Sequence, residues 1–89
     1  MTRDELIAAS ESLNSAAEGA DDDLSAKLSE QADTLATLAE REKGPDHGRL
    51  AKLEHSLRSL QESASAEGAD LIDDALAHVK AYRSTVEGV

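Results

Sequence analysis

Apolar residues recur along this chain at intervals of three and four. Leu6, Leu13, Leu24, Leu28, Leu35 and Leu38 fall on one face when successive residues are turned by ~100°. Leu50, Leu53, Leu57 and Leu60 form a tight 3-4-3 stripe, and Leu71, Ile72, Ala75, Leu76, Val79, Tyr82 and Val86 form another. Nothing alternates with the period of two that a half-buried strand needs. The fold class is therefore all-α, in a single helical domain covering residues 1–89.

The clearest interruption is Arg41–Gly48, "REKGPDHG". Gly44 suits the position just past a helix end, and Pro45 suits the first turn of the next helix. Two further interruptions share one sequence, "AEGAD", at Ala17–Asp21 and Ala66–Asp70. Gly19 and Gly68 read as helix ends, and Asp21 and Asp70 as N-caps of the helices that follow. The apolar phase nevertheless continues across both, and an interior Gly costs only ~1 kcal/mol relative to Ala. Two arrangements follow. One is an antiparallel four-helix bundle made of two helical hairpins, with helices at about 2–17, 21–43, 46–66 and 70–87. The other is a hairpin of two long helices, broken only at Gly44–Pro45, which would have to dimerise to cover its apolar stripe. The end-signals favour four helices. A loose internal duplication supports paired hairpins: Leu24, Leu28 and Leu38 match Ile72, Leu76 and Val86 at an offset of 48.

Composition narrows the setting. Nineteen acids face nine bases, a net charge of −10, and the only aromatic residue is Tyr82. Self-repulsion on this scale destabilises a compact chain in dilute buffer, and high salt screens it. An acid-rich surface with only four Lys matches a protein of a halophile's cytoplasm. Nucleic acid would be repelled overall. Cys is absent, which excludes disulfides and thiolate metal sites. No apolar run reaches the ~20 residues that span a bilayer, so no membrane span is expected. The start, "MTRDELIAAS", lacks the basic and apolar regions of a secretory signal, so a cytoplasmic location is expected.

Candidate chemistry is sparse. Asp46, His47, Glu54 and His55 are the weak candidates for a metal or small-ligand site around the loop. Eight residues separate the two histidines, ~12 Å along a helix, too far to share one ion without help from a loop or second chain. Asp21–Asp23 lacks the spacing of a calcium loop. No serine sits in a nucleophile elbow and no glycine loop cradles phosphate. No enzyme activity and no cofactor are expected. Arg49, Lys52 and Arg58 cluster early in the third helix, either as a docking patch for an acidic partner or simply paired with nearby acids. Leu71, Val79, Tyr82 and Val86 are the candidate interaction surface, although the favoured reading of Tyr82 itself is a core-edge residue whose hydroxyl reaches water.

The segments "GPDHGRLAKLEHSL" (Gly44–Leu57) and "AHVKAYRSTVEGV" (Ala77–Val89) resemble small, acidic, all-helical proteins of halophilic archaea that have no known function. The start "RDELI" and the spacing of Pro45, His47, Lys52, Glu54 and His55 are similar to a broader archaeal family of small helical proteins, richer in histidine around the loop. The resemblance covers about a third of the chain. It implies an archaeal cytoplasm and a helical fold, and brings no activity with it. The function expected is a non-catalytic protein–protein interaction module, either a homo-oligomer (a dimer) or bound to another protein. The alternative is a metal- or small-ligand-responsive protein using the loop histidines.

Overall fold

The computed structural model describes residues 3–40 and 47–85. It contains four helices: α1 (Arg3–Glu18), α2 (Asp22–Glu40), α3 (His47–Gln61) and α4 (Ala66–Thr85), with no strand among the described residues. The long-rod arrangement is excluded, because the chain turns after α1 and again after α3. Gly44 and Pro45 lie outside the described residues.

Both turns are built alike. At the end of α1, the N–H groups of Gly19 and Ala20 donate to the carbonyls of Ala16 and Ala17, at 3.3 and 3.2 Å. At the end of α3, the N–H groups of Ser63 and Ala64 donate to Leu60 and Gln61, at 3.0 and 3.1 Å. Each pair reaches back three residues, tightening the last turn and satisfying terminal carbonyls. A cap follows in each case. The Asp21 carboxylate accepts from the N–H of Leu24 at 2.9 Å, and the Ser65 hydroxyl accepts from the N–H of Gly68 at 3.1 Å. The first half matches expectation, since Gly19 follows the last residue of α1 and Asp21 caps α2. Gly19 does so without a left-handed backbone.

The second half corrects it. The break falls at residues 62–65 rather than at Gly68, so α4 runs through Gly68, and Asp70 lies inside the helix. Gly68 occupies the third helical position, and a Cβ there would come within 3.3 Å of the Ala64 Cβ. Its role is thus to let the turn pack closely on the helix it precedes. Capping substitutions separate the two placements. Ser65→Ala should cost about 1 kcal/mol of stability, whereas Asp70→Ala should be within about 0.5 kcal/mol of neutral, read by urea denaturation.

Matching the caps, Asp21 with Ser65, also corrects the register of the duplication. The offset is 44, not 48: Leu6, Leu13, Leu28, Leu35 and Leu38 correspond to Leu50, Leu57, Ile72, Val79 and Tyr82, and all ten are buried. Stripes with a three-to-four spacing match almost as well when slipped by one turn, which is why the side chains alone suggest 48.

The two hairpins close into a four-membered ring in which α1 contacts α2 and α4, and α3 contacts α4 and, sparsely, α2. The start of α1 meets the end of α4 through Glu5 and His78, whose Oε1 and Nδ1 are 2.7 Å apart. Both turns lie at one end of the bundle, and neighbours run antiparallel. Small residues explain why α1 is the most tightly held. Where α3 has Leu53 and Leu60, α1 has Ala9 and Ala16, and helix axes approach more closely across Ala. The buried Ser10 hydroxyl adds a bond to the Ala32 carbonyl of α2 at 3.0 Å. The α3–α4 pair is pinned differently. Gln61 Nε2 donates to the Ala69 carbonyl at 2.9 Å and to Asp73 at 2.7 Å, and Arg83 donates to Glu54 at 2.7 Å.

Candidate functional site

The seam between α2 and α3 stays open because α3 leans on α4 and its bulky Leu53 and Leu60 hold it off α2. Three adjoining concavities of about 150, 280 and 300 Å³ run along it. They share Lys27 and Leu60, then Gln31 and Ser56, and so form one trough. Leu24, Leu53 and Leu60 give it an apolar floor. Its walls are Lys27, Glu30, Gln31 and Thr34 from α2, and Arg49, Lys52, His55, Ser56 and Ser59 from α3.

The electrostatics of this trough run against those of the chain. Lys27, Arg49 and Lys52 are three of only nine bases in a protein of net charge −10, and among the described residues Glu30 is the acid that lines the central trough with them. Lys27 and Lys52 are exposed, and neither is ion-paired among the described residues. Acids collect at one end, where Asp21 and Asp23 line the trough beside the turn. The trough is therefore polar along its length, from an acidic end near Asp21 to a basic end near Arg49 and Lys52.

The expected site residues fall in different places. Arg49 and Lys52 face the trough as a docking patch would require, while Arg58 is exposed and takes no part in its lining. Glu54 and His55 point to different sides of α3, since adjacent helical residues are turned by ~100°. Glu54 is held by Arg83 of α4, and His55 lines the trough. Asp46 lies outside the described residues, and His47 begins α3. No group of three metal-ligating side chains occurs among the described residues.

The candidate interaction surface needs correction. Val79 is fully buried and Tyr82 only 5% exposed, so both belong to the core. Leu71 is half-buried and lines a separate cavity of about 220 Å³ between the two turns, with Leu24, Leu28, Ala64 and Gly68. Val86 lies outside the described residues. The apolar stripe of α4 faces inward because α1 covers it, which spacing within α4 alone does not reveal. Lys27 is the residue that sequence reasoning missed. Its nearest signal is its place three residues after the buried Leu24 and one before the buried Leu28, at the edge of the apolar face.

Among the described residues, no helix is long and apolar enough to cross a membrane. No curated protein and no solved structure matches the chain. Residues 1–85 match the model of DUF7553, a family of unknown function, and the chain belongs to that family.

Proposed function

We propose that this protein is a non-catalytic helical interaction module whose contact surface is the trough between α2 and α3. One observation carries the reading: a chain with a large acidic excess gathers Lys27, Arg49 and Lys52 along a single open seam with an apolar floor. Such a surface attracts an acidic partner locally while the rest of the molecule repels it, and local attraction prevails once salt shortens the Debye length to ~10 Å or less. We take the setting to be the cytoplasm of a halophilic archaeon. The acidic excess supports this, because molar salt would make the acid-rich surface tolerable and leave close contacts least screened.

Poly-glutamate is a suitable probe of this surface. Added to the labelled protein at 0.15 M KCl, it should shift amide signals of residues 23–34 and 49–60. The double variant Lys27→Glu, Lys52→Glu should weaken that binding by about tenfold, or ~1.4 kcal/mol, without loss of fold, since both side chains are exposed. Shifts scattered over all four helices, or unchanged by the double variant, would remove the trough as the contact surface.

A further inference from the structure

The geometry points to an acidic amphipathic α-helix of a partner protein as the occupant of the α2–α3 trough, lying parallel to α2 with its N-terminus beside Asp21 and Asp23. This inference rests on the trough being the contact surface.

Length comes first. On α2 the lining runs from Asp23 to Thr34, and opposite it from Ser63, in the turn after α3, back along α3 to Arg49. Twelve residues of helix span ~17 Å, so the occupant is elongated and matches about three turns of a third helix. A single phosphate or carboxylate would use only a fraction of this surface.

Backbone chemistry then separates a helix from an extended strand. The trough is walled by two helices, whose main-chain groups are already bonded within them. It therefore presents no sheet edge for strand addition, and an extended occupant would bring backbone N–H and C=O groups with few partners. Among the wall side chains, the Thr34 hydroxyl is already committed to the Glu30 carbonyl at 3.0 Å. A helix arrives with its backbone satisfied. It needs only an apolar strip for the Leu24, Leu53 and Leu60 floor and carboxylates for Lys27 and Lys52.

The charge gradient fixes direction. A helix carries partial positive charge at its N-terminus and partial negative charge at its C-terminus. The acidic end of the trough, Asp21 and Asp23, suits the first, and the basic end, Arg49 and Lys52, suits the second. Carboxylates in the C-terminal two-thirds of the occupant would lie against Lys27 and Lys52. That placement disfavours the isolated helix, so the segment should gain helix on binding.

The test uses the full chain and three synthetic peptides of about 14 residues with one Leu/Ala face. The first has glutamates in its C-terminal two-thirds, the second has the same sequence reversed, and the third has the first's composition interrupted by a central proline. Titration at 0.15 M KCl should show the first binding about tenfold tighter than either other, with amide shifts confined to 23–34 and 49–63 and a gain of helical circular dichroism. Equal binding of the proline peptide would overturn the helical occupant while leaving the trough as a contact surface. Equal binding of the reversed peptide would overturn the direction. Silence to every peptide, with a response to poly-glutamate, would overturn this inference alone; silence to both would remove the interaction module too. If the same residues shifted with protein concentration and no peptide, the occupant would be a second copy of this chain, and the inference would fail.

Discussion

Replacing Leu13 with Ala should lower stability by about 2–5 kcal/mol, measured by urea denaturation at fixed salt. Leu13 is fully buried on α1, the helix packed against both α2 and α4. Truncation removes its transfer energy and leaves a cavity that close-packed neighbours fill only in part. Collapse around the void is resisted here, because Ala9 and Ala16 already bring α1 close to its partners. A chain of this size has a stability on the order of 4–13 kcal/mol, so the loss is a large share of the whole. The melting temperature should fall by roughly 10–30 °C. Ile7 provides the control on the same helix. It is 45% exposed, and Ile7→Ala should cost about 1 kcal/mol or less. Comparable losses for the two substitutions would mean that α1 does not pack in this orientation.

That contrast marks what periodicity could reveal. Leu6, Leu13, Leu28 and Leu57 were legible as core because each belongs to an apolar stripe that a turn of ~100° per residue brings to one face of its own helix. Less legible was which of two similar signals ends α3. Ser65 and Asp70 are both competent caps, and "AEGAD" recurs, so the repeated word draws attention to the wrong one. The structure chooses Ser65 because that choice puts Ile72, Val79 and Tyr82 in register with Leu28, Leu35 and Leu38 around one core. Register between helices is a tertiary fact, and no single stripe contains it.

The trough was half legible for the same reason. Arg49 and Lys52 lie three apart on one helix, so their clustering can be read directly. Lys27 joins them only because α3 is held off α2, and that separation depends on Leu53 and Leu60 standing where α1 has Ala9 and Ala16. Tyr82 shows the converse. A stripe that contains an aromatic residue can be read as core or as partner surface, and the cover supplied by α1 decides it.

Lowering KCl from 1 M to 10 mM should destabilise the protein by roughly 4 kcal/mol, an order-of-magnitude figure from screened self-repulsion. The folded chain has a radius of gyration of 12.2 Å, equivalent to a sphere of ~16 Å, whereas the unfolded coil spreads the same charge over ~30 Å. For a net charge of −10, the excess repulsion in the folded state is roughly 6 kcal/mol at 10 mM, where the Debye length is ~30 Å, and roughly 2 kcal/mol at 1 M, where it is ~3 Å. The folded state concentrates the charge, so removing salt favours unfolding, and the melting temperature should drop by roughly 15–30 °C. Salt also strengthens apolar burial, so the cause needs its own control. Repulsion scales with the square of the charge, whereas the burial effect does not. Glu11→Gln, Glu18→Gln, Asp33→Asn and Asp74→Asn change four exposed acids and take the net charge from −10 to −6. The salt-dependent shift should then shrink to about a third of its original size. A variant that kept the full shift would locate the salt effect in apolar burial instead of charge.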